Sequence, residues 1–311
     1  MEPAVSLRGL TRDFADLRAV DNLSFDVAHG ELFGIIGPDG AGKTTTLRML
    51  AGVLRPSSGD ATLAGVSVAR DPEGVKRHIA YMSQRFGLYT DLTVGENLEF
   101  YADLYQVPRS ERPARLDRLY AFSGLGPFQD RRAGQLSGGM KQKLGLSCAL
   151  IHEPEVMLLD EPTFGVDPIS RRDLWLIVHE MVARGVTVIV STAYLDEAER
   201  CDRVVVLHLG RAVALDTPDA LQQRLREKVL AVRTDRPRES RDRLRGHPAV
   251  RQAVLFGEIL HVTLREGVQD WPAVRADLQA AGVEVLGEGT VEASLEDVFI
   301  DLTRRPEVEG E

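Results

Sequence analysis

The segment Gly37-Pro38-Asp39-Gly40-Ala41-Gly42-Lys43-Thr44 constrains this chain more than any other. It fits the pattern G-x-x-x-x-G-K-[ST], and the surroundings are those the pattern needs. An apolar run, Leu32–Ile36, leads in and a helical pattern over 43–53 leads out, so the unit reads as strand, loop and helix. Gly37, Gly40 and Gly42 allow a turn tight enough for successive N–H groups to face inward, and the positive end of the helix reinforces that concave anion site. Lys43 is placed to reach the outer phosphates of a bound nucleotide and the Thr44 hydroxyl to ligate Mg²⁺, with Pro38, Ala41 and Thr45 completing the cradle. Asp39 sets a carboxylate beside that anion. At roughly 8 Å in water the repulsion is only about 0.5 kcal/mol, tolerable for a side chain turned outward or bonded into its own turn. The bland alternative is a glycine-rich turn between a strand and a helix.

Elements of both kinds surround this unit. Over 4–31 apolar and polar residues alternate and break at His29-Gly30, as in half-exposed strands of an antiparallel sheet. Pro56-Ser57-Ser58-Gly59 is expected to turn a further hairpin. Residues from about Val94 to Arg132 are charged, helical and interrupted by Pro108, Pro113 and Pro127, a helical insertion between apolar strands. Buried-strand runs return at 156–159 and 186–190 around a helix over about 170–183, the alternation of a parallel sheet with crossover helices.

Past Thr217-Pro218 the character changes. Strands near 229–233, 250–256, 258–264 and 283–286 and helices near 237–245 and 270–281 follow the β-α-β-β-α-β order of a ferredoxin-like unit, with a last helix near 295–303. The expected division is therefore 1–218, with a helical subdomain at about 90–150, and a C-terminal accessory domain at 219–311. The acidic tail, 307–311, reads as frayed.

With 311 residues, 43% of them hydrophobic, there is enough apolar material for one large core and a smaller one. A formal net charge of -9 removes any general attraction to nucleic acid or anionic lipid. The only two cysteines, Cys148 and Cys201, lack the spacing of a zinc or redox pair and read as core thiols in a reducing compartment. No apolar run approaches the roughly 18 residues that span a bilayer, and the amino terminus lacks the order of a signal peptide.

A second carboxylate cluster follows at Val156-Met157-Leu158-Leu159-Asp160-Glu161, an apolar strand delivering two carboxylates at its carboxyl end, where ligands of open α/β sheets bind. Asp160 is placed to hold magnesium and Glu161 to orient and deprotonate an attacking water. By itself such a strand end is as readily a surface turn. Between the two clusters stands Leu136-Ser137-Gly138-Gly139-Met140, in which Ser137 can cap a helix while Gly138 and Gly139 leave its first amides open to an anion. This segment resembles the signature sequence of ABC ATPases, usually LSGGQ, and the resemblance covers about residues 4–218.

The resemblance implies an α/β fold: a P-loop ABC cassette with a mixed sheet core, an antiparallel β subdomain and a helical subdomain, to which the small α+β domain is appended. It also implies ATP and Mg²⁺ as cofactors, ATP hydrolysis, pairing with a second nucleotide-binding domain, and peripheral placement at the cytoplasmic face of the cell membrane. Residue by residue, Phe14 falls where the adenine-stacking aromatic is found, although it could equally serve as a core phenylalanine. Gln84 resembles the glutamine that senses magnesium and water, and Asp167 in Gly165-Val166-Asp167-Pro168 resembles the loop aspartate that communicates across the dimer. The stretch Arg85-Phe86-Gly87-Leu88-Tyr89 suits docking to a membrane partner, or else packs the helical insertion.

One family position departs. Where a histidine normally follows the strand ending at Ser191, the chain reads Thr192-Ala193-Tyr194, and losing such a hydrogen bond to a transition state costs on the order of 3 kcal/mol. Either Glu161 and water compensate, or the chain is one half of an asymmetric pair, as in the amino-terminal half of tandem exporter ATPases. The wording of the phosphate loop, of Tyr194-Leu195-Asp196-Glu197-Ala198 and of Leu295-Glu296-Asp297-Val298-Phe299 is similar to ATPases of ABC-2-type exporters, which implies ABC-2-type transmembrane permease subunits as partners and efflux of drugs or other amphipathic substrates. The competing readings are a nucleotide-sensing regulator, and an ABC protein acting on ribosomes or DNA, for which the second cassette, basic linker, coiled coil or zinc modules are lacking.

Overall fold

The computed structural model describes residues 2–84, 87–223, 229–265 and 271–304. The chain divides into two compact units, residues 1–213 and 214–311.

The first unit opens with β1 (Val5–Phe14) and β2 (Leu17–Val27), whose alternation buries one face and exposes the other. Then come β3 (Leu32–Ile36), α1 (Lys43–Leu50), β4 (Ser58–Leu63), β5 (Val66–Ser67), α2 (Pro72–Val75) and β6 (Ile79–Met82). The order β2-β1-β4-β5 makes a four-stranded antiparallel sheet. Helix α1 stops short of Val53 because Val53 and Leu54 both donate to the Arg48 carbonyl at 3.0 Å. The second hairpin does not turn at 56–59. Ser58 already pairs with Thr11, and the turn falls at Ala64-Gly65, where both residues have positive φ (47° and 77°), the two-residue geometry that matches strand twist.

A helical segment follows: α3 (Val94–Leu104), α4 (Arg112–Ser123), two short 3-10 turns and α5 (Gly138–Leu150). Helix α3 starts with a capping box in which Thr93 and Glu96 satisfy each other's backbone N–H groups. Pro113 sits in the first turn of α4, where no N–H is needed, and Pro127 lies in a 3-10 turn. The chain then lays down β7 (Val156–Asp160), α6 (Pro168–Ala183), β8 (Thr187–Thr192), α7 (Leu195–Ala198), β9 (Arg203–His208) and β10 (Arg211–Asp216).

These strands form a six-stranded sheet in the order β10-β9-β3-β8-β7-β6, with β9, β3, β8, β7 and β6 paired in parallel. Every residue of β3, β7 and β8 is buried, as a sheet covered on both faces requires. The register places the carboxyl ends side by side: Ile36 opposite Thr192, Asp160 opposite Ser191, and Met82 opposite Leu159. The loops leaving these strands therefore emerge at one edge. Cys148 and Cys201 are both buried free thiols, and burial pushes Cys201 up to about 12.

The second unit contains α8 (Pro218–Gln223), β11 (Val229–Thr234), α9 (Pro237–Arg245), β12 (Val250–Phe256), β13 (Ile259–Leu264), α10 (Trp271–Ala280), β14 (Val285–Val291) and α11 (Leu295–Arg304). Its sheet has the order β12-β13-β11-β14, wholly antiparallel, around a core that includes Val232, Leu244, Val250, Leu260, Val262 and Leu278. This is the ferredoxin-like arrangement. Strand β14 outruns the expected 283–286 because its ladder with β11 continues to Val229 opposite Val291. The tail residues 307–311 lie outside the described residues. Among the described residues no helix is long and apolar enough to cross a membrane.

Trp175 of α6 supports the strand ends from below. It is 2% exposed and packs among Met82, Leu159 and Val190 around a void of about 10 Å³. Trp175→Ala is expected to cost about 3–5 kcal/mol, read as a lower urea midpoint with an unchanged slope.

Candidate nucleotide-binding site

The loop after β3 wraps the amino end of α1. Gly42 caps that helix with φ 103° and no side-chain hydrogen bond, and the first turn carries no acidic residue, so the helix amides stay available to an anion. A Cβ at Gly42 would lie 2.6 Å from the Ala19 carbonyl oxygen, so backbone crowding as well as φ demands glycine here. Ala41 is buried and its N–H bonds the Pro38 carbonyl at 3.2 Å; Pro38, Asp39 and Gly40 are exposed. Asp39 thus meets the first of the two conditions set for it, a side chain in water.

Lys43 is only 4% exposed. Its ammonium donates to the carbonyls of Gly37 (2.9 Å) and Pro38 (3.1 Å) and lies 3.2 Å from Glu161 Oε1. The other Glu161 oxygen accepts from Gln84 Nε2 at 3.1 Å. Glu161 has the positive φ of 49°, and its N–H donates to Ser191 Oγ at 3.0 Å and to the Ser191 carbonyl at 3.2 Å. Asp160, 1% exposed, accepts on Oδ1 from Thr44 (2.9 Å) and Ser191 (2.8 Å), and on Oδ2 from the Tyr81 hydroxyl (3.3 Å). Burial, and secondarily the Asp160 charge, push the Tyr81 phenol up to about 12, so it serves as a neutral donor.

Lys43, Thr44, Gln84, Asp160 and Glu161 therefore meet at one sheet edge. The donor set fits Mg²⁺: a threonine hydroxyl and a carboxylate are hard oxygen ligands. Among the described residues no group of three His, Cys, Asp or Glu side chains could hold a metal unaided.

The remaining expected residues lie elsewhere. Ser137 caps α5, accepting from the Met140 N–H at 3.3 Å. Gly138 is exposed with open space around it, whereas a Cβ at Gly139 would fall 2.1 Å from Ser170 Oγ and 3.6 Å from Asp167 Oδ2. Asp167 caps α6 by accepting from the Ser170 N–H at 3.0 Å, and that bond holds its carboxyl below the usual range. The two capped helix starts form a second exposed place, and no described hydrogen bond joins it to the Lys43 cluster. Thr45 is half-buried beside Thr44 on α1. Phe14 is 40% exposed, so it is not a core phenylalanine; the Arg12 guanidinium covers one face of its ring at 4.5 Å.

Ala193 is exposed, and the neighbouring Tyr194 ring carries the Arg171 guanidinium at 4.5 Å. Arg85 and Phe86 lie outside the described residues. The rest of that stretch is pinned to α3: Gly87 O accepts from Tyr101, Tyr89 bonds Asn97 through both backbone groups, and the Tyr89 and Phe100 ring centroids lie 4.4 Å apart. Ser191 and Tyr81 were not foreseen. The sequence carries no signal for them beyond their place near the carboxyl ends of apolar strands, since their convergence on Asp160 depends on the register of β6, β7 and β8.

A glycine loop closing on a helix start, with a buried lysine facing strand-end carboxylates, is the site of the P-loop class of α/β proteins. Residues 20–164 match the ABC transporter family. The chain is 42% identical over 97% of its length to the Escherichia coli (strain K12) protein named "Probable multidrug ABC transporter ATP-binding protein YbhF" but spans only 52% of that relative, about half of it. It is 37% identical to the Nod factor export ATP-binding protein I of Rhizobium sp. (strain N33), covering 97% of each chain. It is 36% identical to the daunorubicin resistance ATP-binding protein DrrA2 of Streptomyces coeruleorubidus, over 96% of this chain and 95% of that one. Among solved structures, an ATP-binding subunit of an ABC transporter aligns with TM-score 0.65 at 32% identity, over 71% of this chain and 92% of that one. A dimeric post-hydrolysis state of the cassette MJ0796 with ADP and phosphate gives 0.62 at 25% identity, over 68% and 98%. The chain belongs to the family of ABC transporter ATP-binding proteins.

Gly42→Ala tests the loop. Nucleotide affinity measured by calorimetry is expected to fall at least tenfold while far-ultraviolet circular dichroism stays native, since the added carbon crowds Ala19 and Val20 of β2 and not the parallel strands.

Proposed function

We propose that this chain is the ATP-binding and hydrolysing subunit of an ABC-2-type exporter, working as a dimer of cassettes with transmembrane permease subunits to drive efflux of drugs or other amphipathic substrates. The observation that carries the reading is the meeting of Lys43, Thr44, Gln84, Asp160 and Glu161 at one edge, with Ser137 and Gly138 exposed, and Gly139 buried behind them, at a separate capped helix start. One triphosphate needs only the first place in its own chain. The second is free to grip the phosphates held by a partner, and the dimeric MJ0796 cassette supports that pairing. The export named for the Rhizobium relative and the resistance named for the Streptomyces relative support the outward direction. Residues 1–218 form the nucleotide-binding domain in this reading, 219–311 the accessory domain, and the protein lies peripherally at the cytoplasmic face of the membrane. Nucleic acid is no partner, given the net charge of -9.

The contacts of Lys43 support a first step of ligand exchange. The triphosphate takes the place of Glu161 on Lys43, and its β- and γ-oxygens replace the carboxylate as the partner of the buried ammonium. Glu161, freed on that side and still bonded to Gln84, turns to a water in line with the terminal phosphorus and accepts its proton. Thr44 and Asp160, with Gln84 nearby, would hold Mg²⁺, which would supply neutralisation of charge on the phosphates. Phe14 offers its uncovered face to the adenine. Binding closes the dimer and loss of phosphate opens it, which transmits work to the permease.

A second reading rests on Ala193: an ATP-binding cassette of weak turnover paired with a catalytic partner. The two readings separate in one turnover assay with purified protein. Catalysis by this site predicts measurable Mg-ATP hydrolysis that Glu161→Gln lowers by about 10²–10⁴-fold and Ala193→His leaves within a few-fold. The regulatory cassette predicts no native turnover and a gain on Ala193→His.

A further inference from the structure

Ser191 is the last but one residue of β8, two positions before Ala193, and it is fully buried, with 0% exposure. Its hydroxyl has one proton and spends it on Asp160 Oδ1 at 2.8 Å. Its lone pairs accept the Glu161 N–H at 3.0 Å, beside the ladder bond from the same N–H to the Ser191 carbonyl at 3.2 Å. A single hydroxyl is thereby tied to two adjacent acidic residues, to the carboxylate of one and to the backbone of the other. Glu161 needs that tie, because a φ of 49° is a conformation glutamate rarely adopts.

We propose that Ser191 is the positioning residue of this site: it aims the Asp160 carboxylate for metal and locks the backbone turn that points Glu161 at the phosphates. The inference deepens the proposed function and rests on it. Asp160 Oδ1 has two hydroxyl donors, but they are not equivalent. Thr44 lies on α1 at the loop itself and would be a ligand of Mg²⁺, so its hydroxyl would be shared between Asp160 and the ion. Ser191 comes from the neighbouring strand, in register with Asp160, and remains as the fixed anchor. Tyr81, at 3.3 Å on Oδ2, is a weaker third hold from β6 on the other side of β7. The three donors come from α1, β8 and β6, so the carboxylate is oriented from three directions before any ligand enters. Ser191 has no proton left for a phosphate and touches no reacting atom; it acts through its neighbours.

The test uses the full chain with Mn²⁺ as the probe, by electron paramagnetic resonance, in the presence of a non-hydrolysable ATP analogue. Metal-free ATP affinity by calorimetry and the melting temperature are measured on the same samples. Ser191→Ala is expected to weaken Mn²⁺ binding about tenfold or more, as loss of a hydrogen bond to a charged group does, and to lower kcat, with metal-free ATP affinity undiminished. Ser191→Thr, which keeps the hydroxyl, is expected to restore most of the Mn²⁺ affinity, and Tyr81→Phe to shift it by only about twofold. Unchanged Mn²⁺ affinity in Ser191→Ala overturns the inference. So does an equal loss of metal-free ATP binding and melting temperature without rescue by threonine, which marks a purely structural residue. Failure of the unsubstituted protein to bind Mg-ATP is a different result, visible before any variant is made, and it removes the proposed function together with this inference.

Discussion

A buried ammonium governs the site. Lys43 is almost inaccessible to water, and leaving its charge without partners there costs several kcal/mol. The chain satisfies it with two carbonyls of its own loop and with Glu161, drawn from a strand end more than a hundred residues later. The loop therefore has to close tightly enough to aim the Gly37 and Pro38 carbonyls inward, β7 has to lie two strands from β3, and Glu161 has to leave its strand through a left-handed turn. The same contact occupies the lysine until a stronger anion arrives. A triphosphate carries more charge than one carboxylate and reaches the helix amides as well, so it is the natural replacement.

The parallel sheet converts that requirement into geometry. Strands β3, β8, β7 and β6 end in register, and each delivers its own part at the shared edge: the phosphate loop, Ser191 before Ala193, the Asp160-Glu161 pair, and Gln84. Full burial of β3, β7 and β8 fixes those ends, with Trp175 packed beneath them. The exposed start of α5 belongs to a separate place, where Gly139 lets α5 approach Ser170 of α6 at a distance no other residue allows. Two capped or open helix starts on one chain, with only one of them beside the lysine, support the proposed pairing.

Much of this was legible in the residues. The period-2 alternation of β1 and β2, the apolar runs of β3 and β7 and the glycine-lysine loop each state their structure locally, and the ferredoxin-like order of the second unit comes from its alternation of strands and helices. Pro56, Ser57, Ser58 and Gly59 carry turn chemistry, yet the ladder with β1 draws Ser58 and Gly59 into a strand and leaves Ala64-Gly65 to turn. Ser191 and Tyr81 differ. A serine or tyrosine near the end of an apolar strand has no distinguishing pattern, and its role exists only once the register of three strands is known.

Exchange of Glu161 for phosphate on Lys43 is most directly tested by ATP affinity measured without metal, where neither hydrolysis nor metal coordination contributes. Glu161→Gln removes the competing charge and leaves the loop intact, so calorimetry in the presence of chelator should show ATP bound roughly tenfold more tightly than by the native chain. Equal or weaker binding by Glu161→Gln would contradict the exchange and with it the role assigned to the buried pair.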